Sequence, residues 1–345
     1  MEKIDFVVTW VDGNDPKWQA EKRKYQTGNQ NDQGDQRDER YREWDNLQYW
    51  FRAVEKYAPW YNTIHFVTYG HIPSWLDTGN PRLHIVRHQD YIPAEYLPTF
   101  SARPIEFFLH KIPGLTEQFV YFNDDMFLTS PVKPTDFFVN GLPVESAILN
   151  INIPPARDVN GKIIAGQELY LSALHNVLAI NRHFKKKQVM KGNIRKWFNF
   201  KYGTEQIRTL LLLPWGDFTG FNDTHYPYPL LKSTFDEVWA NEADTLSAAC
   251  AHKFRMPDDV SGRLITFWQI ASGKFEPRRT KDCKYFGICD DPVKNRLIFD
   301  AILKKRYKMI CINDKVSNDQ FDAVRDELKT IMERVLPEKS SFEIV

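Results

Sequence analysis

The chain has 345 residues, of which 42% are hydrophobic and 14% aromatic, and this composition excludes a disordered protein. The 46 Lys and Arg residues almost balance the 45 Asp and Glu residues, so no overall positive field attracts nucleic acid, and we expect no nucleic-acid partner. The length fits one large α/β domain with insertions or two closely packed domains.

The amino terminus leads from Met1 directly into a strand-like segment, without the basic and apolar regions of a secretory signal peptide. No window approaches the roughly eighteen uncharged apolar residues of a transmembrane helix. We therefore predict a cytoplasmic protein. The cysteines are too few for a disulfide scaffold and lack the paired spacing of a zinc site, so we expect them to be reduced: Cys250, Cys283, Cys289 and Cys311.

The first 141 residues alternate predicted strands with predicted helices. Their short apolar segments are rich in β-branched residues, as is typical of buried parallel strands. We predict strands at 4–11, 64–68, 83–86, 119–122 and 126–128, and helices at 46–57 and 105–111. This alternation indicates a Rossmann-like, mostly parallel sheet in an α/β domain. A polar segment at 27–39 is predicted to be a mobile loop that closes over a substrate.

From residue 142 onward the alternation of strands and helices fades. We divide this part into a mostly helical insertion at 142–222, a second catalytic part at 223–316 with a late strand at 308–312, and a C-terminal helix within 317–345. The insertion carries a run of cations at Lys185–Lys187. We interpret this run as a solvated face, the alternatives being contact with a membrane surface or with an anionic glycan acceptor.

The most informative motif is a pair of acids inside an apolar run, Tyr121–Leu128, with Asn123 before Asp124 and Asp125. Two carboxylates at the end of a buried strand are costly without a cation, and oxygen ligands of this kind suit Mg²⁺ or Mn²⁺. Such ions usually share their carboxylate ligands with substrate phosphates. The motif therefore predicts a phosphate-bearing substrate, and the alternative is an ordinary surface turn.

Four blocks, in order along the chain, resemble the signature regions of the Stealth family, the hexose-1-phosphate transferases that include bacterial capsule polymerases and the lysosomal-enzyme GlcNAc-1-phosphotransferase. The blocks cover well over a third of the chain: 4–16 (IDFVVTWVDGNDP), about 40–138 with the acidic motif, His225-Tyr226-Pro227 with Phe254-Arg255, and 311–314 (CIND). The resemblance implies a Rossmann-like, GT-A-like α/β fold with a mostly parallel sheet, a helical insertion and C-terminal helices.

The resemblance also implies an activity, that of a capsular polysaccharide phosphotransferase. Such an enzyme transfers a hexosamine 1-phosphate from a UDP-sugar to a sugar hydroxyl, forms a phosphodiester-linked glycan and releases UMP. It implies Mg²⁺ or Mn²⁺, a UDP-N-acetylhexosamine donor, a glycan acceptor, and capsule assembly proteins at the inner face of the cell membrane. Attack at phosphorus requires positive groups around the phosphate oxygens and a base for the incoming hydroxyl, and the sequence offers both.

Matched to the family blocks, the acids Asp124, Asp125 and Asp314 are our expected metal ligands, and Asp125 is also expected to be catalytic. His225 is the expected base for the acceptor hydroxyl, since imidazole titrates near neutral pH. Arg255 is expected to bind phosphate oxygens; a surface ion pair is its alternative.

Further donor contacts are assigned to the first two blocks. Glu106 is expected to orient the base or hold the donor sugar; a helix-surface Glu is the alternative. The nucleotide pocket is expected from residues 10–13: Trp10, Val11, Asp12 and Gly13. Arg103 departs from the family pattern and is expected to contact the donor phosphates. Arg40, Arg42 and Asp45 are assigned only loosely, to donor or acceptor.

Two other functions remain open from the sequence. A metal-dependent glycosyltransferase would also use a strand-end acidic motif and a UDP-sugar, but would release UDP in place of UMP. A non-catalytic glycan-binding module would account for the many Trp and Tyr residues, and it predicts that Asp125 and His225 are dispensable.

Overall fold

The computed structural model describes residues 2–26, 41–157 and 168–344. The predicted loop at 27–39 and Arg40 lie outside the described residues. Within those ranges no helix is both long and apolar enough to cross a bilayer. The four cysteines are free thiols, as the sequence predicts.

Strands are found in both halves of the chain. In order they are β1 (Ile4–Trp10), β2 (Ile64–Thr68), β3 (Leu83–Arg87), β4 (Gln118–Phe122), β5 (Met126–Leu128), β6 (Phe138–Val139), β7 (Leu142–Glu145), β8 (Tyr228–Leu231), β9 (Glu276–Pro277), β10 (Cys283–Cys289) and β11 (Met309–Lys315).

The helices of the described residues are α1 (Pro16–Tyr25), α2 (Leu47–Tyr57), α3 (Ala102–Phe107), α4 (Glu168–His183), α5 (Lys186–Gly192), α6 (Ile194–Trp197), α7 (Gln206–Leu211), α8 (Lys232–Ala251), α9 (Arg263–Ala271), α10 (Pro292–Leu303) and α11 (Phe321–Val335). Short 3-10 turns lie between several of them.

A five-stranded sheet forms the centre of the fold, in the order β3-β2-β1-β4-β8. The pairs β1–β2, β2–β3 and β1–β4 are parallel, and β8 joins β4 antiparallel at the edge. The β1 segment is apolar because both faces of this strand are covered, and Phe6, Val7 and Val8 have no exposed surface. The predicted α/β fold with a mostly parallel sheet is therefore confirmed.

A second sheet, β10-β11-β5, brings the end of the chain to the acidic motif. β11 runs parallel to β10 and antiparallel to β5, and Ile312 N donates to Asp125 O at 2.9 Å. The predicted strand at 308–312 is longer than expected. Asn313 and Asp314 lie inside β11, because they continue its pairing with Gly287 and Ile288 of β10.

The predicted helices of the first half are found with one shift. α2 buries Leu47, Trp50, Phe51 and Val54, the residues whose spacing predicts it. The helix predicted at 105–111 instead begins at Ala102 and ends at Phe107, followed by a 3-10 turn at Leu109–Lys111. It begins early because the Ser101 side chain accepts from the Arg103 backbone N–H and caps the helix.

A buried ion cluster joins the C-terminal segment to α2. Arg52 donates from Nε and Nη2 to both carboxylate oxygens of Glu343, each at 2.8 Å. Its Nη1 donates to Glu333 Oε2 and to Leu336 O, also at 2.8 Å. We call Arg52, Glu333 and Glu343 the Arg52 clasp. It fixes the end of α11 and the segment after it against the first crossover helix.

The described part of the segment 142–222 contains the helices α4, α5, α6 and α7, which cover somewhat less than half of its residues, and it begins with β7. Its cationic run is not a uniform face. Lys186 is buried and donates to Leu212 O at 2.8 Å, whereas Lys185 and Lys187 are exposed. The division of the chain into four parts stays a prediction, since β8 and β11 complete sheets begun by the first part.

Candidate active site

An open cleft of about 1220 Å³ lies at the carboxyl ends of β1 and β4, where parallel sheets bind ligands. It collects residues from distant parts of the chain. Most of the predicted site residues line it: Trp10, Val11, Arg103, Glu106, Asp124, Asp125, His225, Arg255 and Asp314. Asp12 and Gly13 are outside the lining.

Asp125 lies at the floor of the cleft, just after β4, with its two carboxylate oxygens in different situations. Oδ2 accepts from Cys311 Sγ at 3.1 Å and lies 3.4 Å from His225 Nε2. Oδ1 is buried and has no hydrogen-bond partner among the described residues. An orphaned anionic oxygen in a cleft is costly by itself, so this atom is suited to a cation or a substrate group.

His225 is held beside Asp125 by a strained backbone. Its φ is +43°, in the left-handed region that non-glycine residues rarely adopt, and its N–H donates to Asp223 Oδ1 at 3.2 Å. Its Nδ1 pairs with the Tyr228 hydroxyl at 2.9 Å. Burial opposes the charged imidazole, but the charge and hydrogen bond of Asp125 outweigh it and raise the pKa of His225 above its usual range.

Asp124 is adjacent in sequence but has a different electrostatic environment. Asp124 is exposed to the open cleft, yet desolvation by the protein atoms around it, followed by the negative charges of Asp125 and Glu43, raises the pKa of Asp124 to about 7. The positive charge of Arg255 acts in the opposite direction, toward a lower pKa, which places Arg255 on the acidic side of the cleft. Arg255 is positioned there by Phe254, whose ring stacks on Phe100 at 5.5 Å.

Asp314 reaches the cleft from β11. Its Oδ2 accepts from Trp44 Nε1 at 3.2 Å and lies 3.5 Å from Arg42 Nε, while Oδ1 accepts from Val316 N at 2.9 Å. Within the described ranges, the ligand atoms that approach within 4.8 Å of one another here belong to Asp125, His225 and Cys311. That group does not include Asp124 or Asp314, so the three-carboxylate ligand set stays a prediction.

Two observations nevertheless indicate that the cleft can bind a hard divalent cation. Asp125 Oδ1 has no donor within the described parts of the chain, and the pKa of Asp124 is raised by desolvation and by the neighbouring carboxylates, an effect that a cation would reverse. Cys311 is a poor ligand by comparison. Burial and the charge of Asp125 raise the pKa of its thiol far above the usual range, so the thiol acts as a hydrogen-bond donor to Asp125.

Glu106 points from α3 to the beginning of α9. Its Oε2 accepts from Gly262 N at 3.1 Å, and a Cβ at position 262 would lie 2.5 Å from the same oxygen. Only glycine therefore admits this contact. Arg103, one turn before Glu106, donates to the Ser172 hydroxyl at 3.1 Å and has Nη1 at 3.9 Å from Glu106 Oε2. The roles of both residues stay predictions.

Arg263 is a cleft residue that the sequence analysis missed. It is the first residue of α9, and its guanidinium lies 4.4 Å from the Tyr228 ring, with Nε 2.9 Å from Asp223 Oδ1. Asp223 and Tyr228 are the two residues that hydrogen-bond His225. Arg263 thus braces the histidine through both partners. Its sequence context, Ser-Gly-Arg before an apolar helix, gives no local sign of this.

The predicted nucleotide pocket is only partly assembled from residues 10–13. Trp10 lines the cleft and donates from Nε1 to Glu43 Oε2 at 2.6 Å, a partner that the sequence did not indicate. The Asp12 carboxylate accepts from Asn14 N within its own turn. Gly13 is needed for the backbone of Tyr41, because a Cβ there would lie 1.9 Å from the Tyr41 carbonyl oxygen.

Comparison with known proteins supplies relatives along the whole chain. The capsular polysaccharide phosphotransferase WcwK of Streptococcus pneumoniae is 42% identical over 343 residues, covering 99% of this chain and 98% of the relative. The receptor polysaccharide phosphotransferase WefC of Streptococcus gordonii is 41% identical over 347 residues, covering all of both chains. The exopolysaccharide phosphotransferase cps2G of Lactiplantibacillus plantarum is 38% identical, covering 99% and 96%.

Similarity of this extent, together with the fold and the cleft, defines the protein as a transferase enzyme. More particularly, the chain belongs to the Stealth family, and the resemblance found from the sequence is confirmed. The family models for Stealth conserved regions 1, 2 and 4 match residues 2–30, 40–144 and 300–345. His225 and Arg255 lie between the matched ranges, so their assignment rests on the cleft geometry and on the sequence blocks.

Solved structures with a similar outline are glycosyltransferases. The galactosyltransferase LgtC, in complex with donor and acceptor sugar analogues, aligns over 98% of both chains with 9% identity and a TM-score of 0.39. Mouse xyloside xylosyltransferase 1 covers 90% of this chain with 10% identity and a TM-score of 0.31. These TM-scores are below 0.5, so no functional conclusion follows from the likeness.

Proposed function

We propose that this enzyme is a polysaccharide phosphotransferase that moves a hexosamine 1-phosphate from a UDP-N-acetylhexosamine to a hydroxyl of a glycan acceptor. The observation that carries the proposal is Asp125: its Oδ1 has no partner among the residues that the structure describes, and its Oδ2 lies 3.4 Å from Nε2 of His225, whose backbone is strained, in a wide cleft. The end-to-end similarity to three polysaccharide phosphotransferases supports the same reaction class.

The transfer requires one bond to form and one to break at phosphorus. The acceptor oxygen attacks the phosphorus that bears the sugar, the bond from that phosphorus to the bridging oxygen breaks, and UMP leaves with that oxygen. In its neutral form, with the ring proton on Nδ1, His225 takes the proton of the acceptor hydroxyl at Nε2, and the charge of Asp125, 3.4 Å away, stabilises the imidazolium that forms. Tyr228 fixes the ring through Nδ1, so that Nε2 stays directed toward Asp125.

Positive groups in the cleft stabilise charge on the phosphate oxygens. Arg255 lies on the acidic side of the cleft, and a guanidinium offers two parallel donors to a phosphate. Mg²⁺ or Mn²⁺, held by Asp125 with Asp124 and Asp314 as further ligands, would neutralise charge on the pyrophosphate when bound. Trp10 and Val11 line the part of the cleft that we assign to the nucleotide, and Arg103 is assigned to the donor phosphates.

We place the enzyme in the cytoplasm at the inner face of the cell membrane, with capsule assembly proteins as its partners. The similarity to proteins named as capsular polysaccharide phosphotransferases supports this proposal. The location and the reaction are separable, and each has its own test.

The reaction is tested by identifying the released nucleotide. Purified protein is incubated with Mg²⁺, a panel of UDP-N-acetylhexosamines and short glycan acceptors, and we expect UMP. Asp125→Asn keeps the shape of the side chain and should abolish release. Asp326→Asn, at an exposed acid of α11, is the matched control and should not change it. Release of UDP would show a glycosyltransferase instead, and absence of turnover with every donor would contradict this donor class.

A further inference from the structure

An exposed apolar surface lies on the helical segment 184–216, which is rich in cations. Seven large apolar side chains of this segment are exposed: Ile194 at 59%, Leu213 at 38%, and a group of five, which are Phe200 at 91%, Leu211 at 68%, Ile207 at 55%, Trp215 at 54% and Leu210 at 49%. We call these five residues the apolar patch. Large apolar residues scattered singly are ordinary, but five within sixteen residues of sequence form a feature that marks an interaction site.

Three of the five patch residues lie on the outer side of α7, whose inner side packs against the protein. Ile207, Leu210 and Leu211 have the i, i+3, i+4 spacing of one face of α7. The inner side is already used, since Thr209 is fully buried and its hydroxyl accepts from Leu149 N at 3.1 Å. The apolar face of α7 therefore points to solvent while the opposite side of the helix is already packed in the core. The side of α7 that carries Thr209 makes the contact with the rest of the protein.

The sequence around the patch is rich in cations, and the acids nearest to it along the chain are Glu205 and the exposed Asp217. Between residues 184 and 216 the sequence has eight Lys and Arg residues and one Glu, which pairs with Arg208. The exposed cations of this segment are Lys185, Lys187, Lys191, Arg195 and Lys201. Lys186, between the exposed Lys185 and Lys187, donates from its ammonium to Leu212 O just beyond α7, and this contact brings the beginning of α5 to the end of α7.

We propose that the apolar patch and the exposed cations of the same segment form a docking surface for an anionic phospholipid bilayer. Leu and Ile side chains with a Trp and a Phe are suited to the boundary between headgroups and acyl chains, and the lysines of the segment are attracted to anionic headgroups. A free anionic glycan would satisfy the cations but would leave the aliphatic side chains in water. The combination of both features therefore favours a lipid surface.

The docking surface lies directly behind one wall of the cleft. Arg208 donates from Nη1 to Asn222 Oδ1 at 3.1 Å, and Asn222 lines the cleft. Leu149, which α7 holds through Thr209, precedes Asn150 of the same wall. Docking through α7 thus places the cleft next to the bilayer. The inference rests on the membrane location given under the proposed function. It adds which surface of the protein contacts the membrane and which lipids that surface binds.

The test is co-sedimentation of the purified full chain with phosphatidylcholine vesicles, with and without phosphatidylglycerol. We expect binding only to the vesicles that contain phosphatidylglycerol. The triple variant Ile207→Ser, Leu211→Ser, Trp215→Ser should weaken binding roughly tenfold or more, because three apolar side chains no longer leave water. Lys185→Gln, Lys187→Gln, Lys191→Gln should weaken it by about fivefold per lysine, and added salt should reproduce that loss.

Matched controls remove exposed side chains of the same kinds elsewhere. Val293→Ser with Leu297→Ser removes exposed aliphatic residues of α10, and Lys24→Gln with Lys294→Gln and Lys304→Gln removes three exposed cations. Both controls should bind vesicles as the wild type does. Circular dichroism should show the same fold for all variants, since every substituted side chain is exposed.

The outcomes separate the docking surface from the reaction. Loss of vesicle binding in the patch variants, with unchanged turnover on a soluble acceptor, supports the proposal. Equal binding by patch variants and controls, or no binding by the wild type, overturns it. Wild-type self-association that the patch substitutions abolish, without vesicle binding, would assign the patch to a second copy of the chain and likewise overturn it. Failure of turnover alone would count against the proposed function only.

Discussion

Two charge clusters of this protein, the Arg52 clasp and the acids with His225 in the cleft, differ in how completely they are hydrogen-bonded. In the Arg52 clasp, every nitrogen of the guanidinium donates to an acceptor at 2.8 Å, and Glu343 also accepts from Ser340 N. In the cleft, Asp125 has one buried oxygen without a donor among the described residues. Other buried polar atoms of the described residues also lack a partner, among them Glu145 Oε1; the Asp125 oxygen differs because Asp125 lines the cleft, where a ligand can supply the missing partner.

The acids of the two clusters are shifted in opposite directions. In Glu343, burial favours the neutral acid, but the hydrogen bonds and charge of Arg52 outweigh it and lower the pKa. In Asp124, desolvation and neighbouring carboxylates act together and raise the pKa to about 7. Desolvation alone therefore does not distinguish structure from function; the sign of the neighbouring charge does.

The largest effect is expected from removing the imidazole of the cleft. His225→Asn keeps a residue that tolerates the left-handed backbone at φ +43° but removes the base. We expect kcat/KM to fall about a hundred- to ten-thousandfold, the range for loss of a general base, with an unchanged unfolding midpoint. Steady-state kinetics and thermal unfolding measure the two quantities.

The control for this prediction is a histidine that pairs with an acid outside the cleft. His183 Nε2 lies 2.7 Å from Glu242 Oε1, and His183→Asn should leave kcat/KM unchanged. A His225→Asn enzyme that retains wild-type kcat/KM would contradict the assignment of the base. It would also weaken the contrast between the two clusters.

The second largest effect is expected in the clasp, on stability instead of rate. Arg52→Met leaves Glu343 buried without its cation and should lower the free energy of unfolding by about 3–5 kcal/mol. Arg325→Met is the control, since Arg325 pairs with Asp322 and Asp326 at the surface of α11 and should cost at most about 1 kcal/mol. Urea denaturation gives both values. Similar losses from both variants would remove the distinction between a buried and a surface ion pair.

The smallest expected effect is on the pH dependence of stability, and it concerns Glu343 of the Arg52 clasp. A carboxylate with a lowered pKa in the folded state contributes stability above its unfolded pKa of about 4.3 and loses it as pH falls through the folded pKa. Glu343→Gln should therefore cost about 1.5–3 kcal/mol at neutral pH, the value of a hydrogen bond to a charged group. The difference from wild type should shrink below about pH 4.

Urea denaturation across a pH series measures this difference. Glu338→Gln, at an exposed acid of the same segment, should change stability by less than about 0.5 kcal/mol at every pH. A Glu343→Gln deficit that is the same at acidic and neutral pH would show that Glu343 contributes by packing and not by its charge.

The sequence predicted those parts of the fold that short-range patterns encode. The strands β1, β2, β3 and β4 were predicted because each is a short apolar run bounded by turn residues, and α2 because its apolar residues have helical spacing. β8 and α8 follow one another without a turn signal and were missed. β10 was missed because its exposed Lys284 and Tyr285 hide the pairing with β11.

The sequence pointed only to those candidate site residues that stand in a conspicuous motif or in a family block. Asp125 and His225 were found because an acid pair inside an apolar run and a histidine in a family block are conspicuous. Arg263 and Cys311 act on them through space, one by bracing Asp223 and Tyr228, the other by donating to Asp125. No local pattern records such contacts, because they depend on which strands pair.

The pairing of β5 with β11 has a consequence for the order of events during synthesis. The hydrogen bonds of Asp125 with Cys311 and Ile312 join residues about 190 positions apart, so loop closure must precede the contact. On the ribosome, the acidic motif is complete long before its partners emerge. The time at which a nascent chain becomes active therefore reports when the last stage of folding is complete. Activity should appear later than the central sheet forms.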